Sequence, residues 1–129
     1  MKLLLDTHAL VWWWNDDSRL PKTAREAIGT QETIVLVSAA SAWEIATKLR
    51  LGRWPEADRL IEDFEGLVRR SRFATLSISL GHAAAAGAMQ GPHRDPFDRM
   101  LMAQCRLEEA TIVSADPVFA GYGIPVLWA

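Results

Sequence analysis

Short apolar runs that alternate with segments of helical periodicity are the feature that most limits how this chain can fold. Strand-like runs lie at 2–5, 33–37, 73–78, 111–114 and 125–128, and helical patterns lie at 8–14, 22–28, 38–52, 56–70, 80–90 and 97–109. Strands that alternate with helices favour a parallel sheet with right-handed crossovers and helices on its faces. The pattern therefore predicts an α/β fold with a central, mainly parallel sheet of four to five strands. Pro125 places the last strand at an edge.

Length and composition exclude several classes of protein. A chain of 129 residues fits one domain, so we expect a single domain over 1–129. The formal charge of −2 neither supports nor excludes a nucleic-acid substrate. One cysteine permits no internal disulfide, which suits a reducing compartment. The N-terminal apolar run is too short for a signal peptide and no run approaches a membrane span, so a cytoplasmic protein without membrane association is expected.

Four acids are predicted to meet at one edge of the sheet. Asp6 and Asp116 follow the first and fourth strands, Glu44 lies near the start of the helix after the second strand, and Asp98 begins the helix that leads into the fourth. The carboxyl ends of parallel strands share one edge, where α/β proteins bind ligands. Clustered carboxylates raise one another's pKa unless a cation neutralises them. Because the cluster offers oxygen ligands, it favours Mg²⁺ or Mn²⁺, which can activate water and polarise a phosphoryl oxygen.

Two of these acids have simpler interpretations. Asp6 alone is well placed as an N-cap for the helix after it. Ser41-Ala42-Trp43-Glu44 matches a capping box, in which Glu44 satisfies a backbone N–H, whereas a cap at Ser38 leaves Glu44 free to project beside the strand end. The sequence leaves both alternatives open. His8, His82 and His93 are scattered and are expected to be structural.

Four blocks of sequence resemble one known family. They are the opening Leu-Leu-Asp-Thr-His-Ala-Leu, the segment Ser-Ala-Ala-Ser-Ala-Trp-Glu-Ile, His-Arg-Asp-Pro-Phe-Asp-Arg at 93–99 and Val-Ser-Ala-Asp-Pro-Val-Phe at 113–119. In this order and at this length they look like a PIN domain, and more narrowly like a VapC-type ribonuclease toxin of bacterial toxin–antitoxin pairs. The resemblance covers essentially the whole chain and implies a three-layer α/β sandwich.

The resemblance also implies an activity and a set of site residues. It implies a Mg²⁺- or Mn²⁺-dependent endoribonuclease that cuts structured RNA such as tRNA or ribosomal RNA, forms a homodimer and is held inactive by a VapB-like antitoxin. Asp6, Glu44 and Asp98 match the family's core metal-binding acids, and Asp116 matches its fourth. The remaining expected site residues are Asp95 as a cap or support for the acids, Ser114 (where many relatives have Thr) and Thr7 as further supports, and Arg94 and Arg99 as contacts to the RNA backbone.

Some features remain open to more than one interpretation. Arg94 and Arg99 are equally explained as solvated charges or as ion pairs with Asp95. The tryptophan run at 12–14 cannot face one side of a helix, so part of it is available to a partner, while Trp43 and Trp54 suit either the core or an antitoxin groove.

Two other functions compete with a nuclease. A phospho-aspartate phosphatase or receiver is disfavoured because it needs a late lysine, and the lysines here are Lys2, Lys22 and Lys48. A catalytically silent PIN-like module for RNA binding or dimerisation is the remaining alternative. Loss of an acid would mark such a module, and none of the four is missing.

Overall fold

All five predicted strands form one parallel sheet in the computed structural model, which describes residues 1–128. The strand order is β3-β2-β1-β4-β5, and each neighbouring pair is parallel. The predicted α/β fold is therefore confirmed, and the sheet has the larger of the two predicted sizes. The strands are β1 (Lys2–Leu5), β2 (Ile34–Ser38), β3 (Ala74–Leu76), β4 (Thr111–Ser114) and β5 (Val126–Trp128).

Within residues 1–128, eight α-helices connect the strands and cover the sheet. They are α1 (Thr7–Trp14), α2 (Lys22–Gly29), α3 (Ala39–Arg50), α4 (Asp58–Glu62), α5 (Phe64–Arg70), α6 (Leu80–Ala88), α7 (Pro96–Glu108) and α8 (Val118–Gly121), with a 3₁₀ turn at Pro55–Ala57. None of the helices within residues 1–128 combines the length and the apolar character that a membrane span requires.

Successive side chains of β1 point into cores on opposite faces of the sheet. Leu4 packs with Leu101 and Met102 of α7, whereas Leu3 and Leu5 belong to a second core that includes residues of α1 and α2. All three leucines of β1 are fully buried. A strand covered on both faces explains why its sequence is continuously apolar. The layers are therefore helix, sheet and helix, as the resemblance implied.

The single helix predicted over 56–70 is wrong. The chain leaves helical geometry at Asp63, with φ −140° and ψ 53°, and this residue separates α4 from α5. Leu60 of α4 packs in a small core with Val11 and Ile45, whereas Val68 of α5 packs in the core beside β1. The bend lets α5 reach the core beside β1 with Val68 while its Phe64 and Leu67 still pack against the small core that buries Leu60.

The strand order places a crevice between β1 and β4. After β1 the chain builds β2 and β3 on one side, then crosses to add β4 and β5 on the other. In open parallel sheets such a reversal leaves a crevice outside the strand ends, where ligands bind. Asp6, which follows β1, and Ser114, which ends β4, lie at this crevice.

Candidate metal-binding active site

A cleft of about 480 Å³ lies at the carboxyl ends of the central strands. The four acids predicted from the sequence all line it. The lining residues are Asp6, His8, Ala9, Trp12, Arg19, Glu44, Lys48, Asp95, Asp98, Ala115, Asp116 and Trp128. The lining thus combines an acidic half, formed by the aspartates and Glu44, with a half made of aromatic and basic residues.

Asp6 occupies the N-cap position of α1, but its carboxylate makes no capping hydrogen bond. Its Oδ2 instead accepts a hydrogen bond of 2.7 Å from Ser114 Oγ at the end of β4. The side chain is buried, and this desolvation raises the pKa of Asp6. Asp6 is therefore the N-cap residue, as one interpretation predicted, but its carboxylate lines the cleft and does not cap the helix.

Glu44 is not part of a capping box. Ser38 is the N-cap of α3, where its Oγ accepts a hydrogen bond of 3.0 Å from the backbone N–H of Ala40. Glu44 consequently lies on the buried side of the helix, with 4% of its surface exposed. Its Oε2 accepts a hydrogen bond of 2.5 Å from Lys48 Nζ one turn later. The cap at Ser38 thus frees Glu44 for the cleft, and Lys48 is its counter-ion.

Asp98 projects from the first turn of α7. Asp95 is the N-cap, because its Oδ1 accepts hydrogen bonds from the backbone N–H groups of Phe97 (2.9 Å) and Asp98 (3.1 Å). The Oδ2 atom of Asp98 accepts a hydrogen bond of 2.8 Å from His93 Nε2. The pKa of Asp98 is raised to about 6, first by burial and further by the charges of Asp95, Asp6 and Glu44, although the His93 bond opposes the shift. These mutual effects indicate that the acids lie close together.

Asp116 lies at the exposed rim of the cleft. Its Oδ1 accepts a hydrogen bond of 3.0 Å from the backbone N–H of Val118, at the start of α8. Its own backbone N–H donates 3.0 Å to Ser114 Oγ, the same hydroxyl that binds Asp6. Ser114 therefore connects Asp6 to the segment that carries Asp116. Thr7 lies further back, where its hydroxyl shares a hydrogen bond of 3.0 Å with Ser41 and joins α1 to α3.

The two predicted RNA-binding arginines have different surroundings. The guanidinium of Arg99 donates to the carbonyl oxygen of His93 at 2.9 Å and to that of Met89, so it stabilises the loop before α7. Arg94 is exposed, and within residues 1–128 neither arginine forms an ion pair with Asp95. The ion-pair alternative is thus wrong. Contact with RNA stays a prediction for both residues.

Two contacts to the acids were missed at the sequence level. Lys48 is not among the residues expected at the site, although its i,i+4 spacing from Glu44 on a predicted helix is a recognisable pairing signal. His93 was expected to be structural, and it proves to position Asp98 through the loop that folds back over α7. That loop is held by the hydrogen bond of 2.9 Å from the His93 backbone N–H to the Tyr122 hydroxyl oxygen. Because His93 and Tyr122 lie in distant segments of the chain, their contact leaves no local signal in the sequence.

Tryptophan side chains divide between core and surface. Trp13 and Trp14 are half-buried against Phe73 and Phe64, and Trp14 Nε1 donates 2.8 Å to Ser71 Oγ. Trp43 is 57% exposed and meets Phe97 edge-on, outside the cleft.

Comparison with known proteins identifies a domain family and a set of structures with the same fold. The family model for the PIN domain matches residues 3–124. Ribonuclease VapC16 of Mycobacterium tuberculosis is 35% identical over 81 residues, an alignment that spans 57% of this chain and 57% of the relative. The match therefore covers little more than half the length of that relative.

Solved structures share the fold at low sequence identity. VapBC2 of Rickettsia felis bound to promoter DNA has a TM-score of 0.70 at 13% identity and covers 98% of both chains. DNA-bound VapBC of Salmonella typhimurium has a TM-score of 0.70 at 19% identity, over 98% of this chain and 97% of the other. VapC20 of Mycobacterium tuberculosis, a toxin that cleaves the sarcin–ricin loop, has a TM-score of 0.68 at 15% identity, over 98% and 99%.

These similarities confirm the resemblance to PIN domains and to VapC-type proteins that the four sequence blocks carried. The strand order agrees with it, and so does the position of the acids at the carboxyl edge of the sheet. Because the family model extends over residues 3–124, the chain belongs to the PIN domain family.

Proposed function

We propose that this protein is a metal-dependent endoribonuclease toxin that hydrolyses phosphodiester bonds of structured RNA. The observation that carries the proposal is the convergence of Asp6, Glu44 and Asp98 from three separate elements into one cleft. Two of these carboxyl groups have raised pKa values because they are buried. Such a cluster destabilises the folded chain unless it binds a cation, so it is better explained by function than by stability.

The donor set fits Mg²⁺ or Mn²⁺. Within residues 1–128, no group of three or more His, Cys, Asp or Glu side chains stands close enough to hold a metal ion as a preformed site. Mg²⁺ does not need one, because it retains several waters and is usually held by one or two carboxylates together with substrate phosphates. Asp6 and Asp98 are the proposed principal ligands, with Glu44 and Asp116 completing the set. When bound, the ion supplies an activated water and neutralises charge on the phosphoryl group.

The surrounding residues hold these carboxylates in place. Ser114 fixes one oxygen of Asp6 and His93 fixes one oxygen of Asp98, and each leaves the second oxygen of that carboxylate for a ligand. Lys48 neutralises Glu44 in the metal-free protein and lies where it can contact an RNA phosphate once the acids bind a cation. Asp95 acts on Asp98 indirectly, because it caps the helix turn that carries it.

The relatives support the substrate class and the partner. VapC20 is described as cleaving the sarcin–ricin loop, and VapC16 as a ribonuclease, which supports RNA as the substrate here. The VapBC structures among the neighbours support a VapB-like antitoxin as the partner, and we propose that its tail occupies the acidic cleft. We further propose a homodimer acting in the cytoplasm, with one PIN domain per chain.

The direct test is cleavage of total RNA by purified, partner-free protein in Mg²⁺ or Mn²⁺, with and without EDTA. We expect discrete fragments that require the metal and that disappear in Asp98→Asn. Asp58→Asn is the matched control, because Asp58 is exposed and lies outside the cleft. It should cleave like the parent protein.

Metal binding is measured separately by the rise in unfolding temperature on addition of Mn²⁺. The parent protein and Asp58→Asn should be stabilised, and Asp98→Asn much less. A folded parent protein that binds Mn²⁺ but leaves every RNA intact would favour the silent binding module. Cleavage that survives in Asp98→Asn would contradict the proposed site.

A further inference from the structure

Part of the cleft lining consists of aromatic rings that contact one another. His8, Trp12 and Trp128 line the cleft, and Trp54 lies directly behind His8. The rings of His8 and Trp54 are 4.5 Å apart and inclined by 32°, close to a stacked arrangement. Trp12 meets His8 at 5.8 Å and Trp128 at 5.7 Å. These four residues are called the aromatic wall below.

Two cations lie over the aromatic wall. The guanidinium carbon of Arg19 is 4.8 Å from the ring centre of Trp12, and Lys48 Nζ is 5.1 Å from that of Trp54. Arg19 is held there by Asp17 at 2.6 Å and Glu56 at 3.1 Å. Lys48 also binds Glu44, so it stands at the boundary between the acidic half and the aromatic half of the cleft.

Core packing does not account for the whole wall. Rings in a core are buried, whereas His8 is exposed and lines the cleft while Trp54 packs against its ring. Trp12 and Trp128 are half-buried and also line the cleft. The wall therefore presents aromatic surface to whatever the acids act upon.

We propose that the aromatic wall is a stacking platform for an unpaired nucleobase next to the scissile phosphate. The inference rests on the proposed ribonuclease function and extends it to the choice of substrate. Proteins recognise unpaired RNA bases by stacking them on aromatic side chains, histidine included. Arg19 and Lys48 supply the positive charge that the neighbouring backbone phosphate requires, since the acidic half of the cleft repels it.

The platform selects RNA in which this base is already out of a helix. A paired base must first be unstacked, which costs free energy, whereas a loop nucleotide can enter the cleft directly. The nuclease should therefore cut in loops or bulges. The stacked nucleotide should contribute to affinity through its ring more than through its base-pairing edge.

The test uses Asp98→Asn protein, which binds RNA without cutting it, and an RNA fragment that spans the cut site mapped with the parent protein. One position at a time of this RNA is made abasic. At one position next to the cut, loss of the base should weaken binding about five- to a hundredfold, the range given by one stacked base. His8→Ala in the same background should bind the intact RNA as weakly as that abasic RNA and should show no further loss with it.

Rescue and control variants separate stacking from a structural effect. His8→Phe retains a ring at the same exposed position and should restore the difference between intact and abasic RNA. Trp54→Ala should reduce it, because the ring behind His8 is lost. Trp43→Ala removes an exposed tryptophan outside the cleft and should behave like the Asp98→Asn background.

Three outcomes would overturn the platform. If His8→Ala weakens the binding of intact RNA and of abasic RNA by the same factor, His8 has a structural role. If no abasic position weakens RNA binding while the parent protein still cleaves RNA, the platform is refuted and the nuclease proposal stands. Absence of both cleavage and RNA binding in the folded parent protein would refute both proposals together.

Discussion

Two clusters of buried polar groups in this molecule differ in how completely they are satisfied. In the first, Ser38 Oγ donates 2.6 Å to Gln104 Oε1, and His82 Nε2 donates 3.0 Å to Glu108 Oε2. His82 Nδ1 accepts a hydrogen bond of 3.0 Å from the backbone N–H of Ser79, so both ring nitrogens of this histidine have partners. The cluster connects the start of α3 with α6 and α7. Its polar groups are paired with one another inside the protein.

The second cluster is the acidic half of the cleft. Asp6, Glu44 and Asp98 bring three carboxylates together, and the neighbours that bind them directly are Ser114, Lys48 and His93. Burial raises the pKa of Asp6 and Asp98, so their charged forms are disfavoured in the metal-free protein. Polar groups that are saturated within the protein serve the fold, whereas carboxylates in excess of their counter-ions favour a ligand.

The two clusters should differ most in how substitutions within them affect the rate of RNA cleavage. Asp6→Asn keeps an oxygen for the Ser114 hydroxyl but removes a metal ligand, so we expect RNA cleavage to fall by at least about a hundredfold. Initial rates on the mapped substrate at saturating Mn²⁺ would measure it. Full activity in Asp6→Asn would remove this residue from the site.

The substitution Gln104→Leu removes the side-chain hydrogen bonds of Gln104 from the first cluster with little change in side-chain volume. The Ser38 hydroxyl then loses its acceptor, and the expected loss in free energy of unfolding is about 2 kcal/mol. Denaturant titration measures the loss, with Gln31→Leu as an exposed control expected to change little. Activity per folded molecule should stay near the parent value. A variant as stable as the parent protein would mean that the hydrogen bonds contribute nothing net.

The metal-free acidic cluster should destabilise the folded protein to a degree that depends on pH. The stability of the Asp98→Asn variant, compared with that of the parent protein, tests this. The unfolded chain loses this proton near the ordinary value of 3.8, whereas the folded protein retains it to about 6. Folding therefore takes up a proton in this window, and the parent protein loses stability as the pH rises through it. In EDTA at pH 7.5, Asp98→Asn should be more stable than the parent by about 1–2 kcal/mol, after allowance for partial solvent screening.

The comparison at low pH is the control for that experiment. At pH 4 the Asp98 side chain of the folded parent protein is neutral, as asparagine is, so most of the advantage of Asp98→Asn should disappear. Mn²⁺ at pH 7.5 should reverse the advantage, because the ion stabilises the parent protein much more than Asp98→Asn. An advantage that is equal at both pH values would show that charge is not its cause.

The smallest expected effect comes from two lysine–glutamate pairs of identical spacing. Lys48 and Glu44 are 2.5 Å apart, with 29% and 5% of their side chains exposed, whereas Lys22 and Glu26 are 3.8 Å apart with 87% and 65% exposed. Lys48→Met should cost about 1 kcal/mol in EDTA because it leaves Glu44 buried without its counter-ion. Lys22→Met should change stability by no more than a few tenths of a kcal/mol.

Addition of Mn²⁺ to the Lys48 variant sharpens the same comparison. A cation that binds the acids replaces the lost counter-ion, so Lys48→Met should be stabilised by Mn²⁺ more than the parent protein is. Equal stabilisation of the two would place Glu44 outside the metal site.

The sequence by itself determined the architecture and the edge at which the acids lie. Alternating strand and helix patterns require a parallel sheet, and parallel strands bring their carboxyl ends together, so Asp6 and Asp116 reach the same rim without knowledge of any contact. Asp95 was also recognisable as a cap, because an acid before Pro96 at a helix start has few other roles.

Only the tertiary structure decided between alternatives that are locally equivalent. Ser38 and Ser41 are both good caps, and Ser38 takes that role while packing places Ser41 beside Thr7 in the interior. The bend at Asp63 exists because two cores compete for one amphipathic segment. Periodicity records which residues of an element are buried, but the core that buries them, and the partners that meet there, depend on how separate elements pack together.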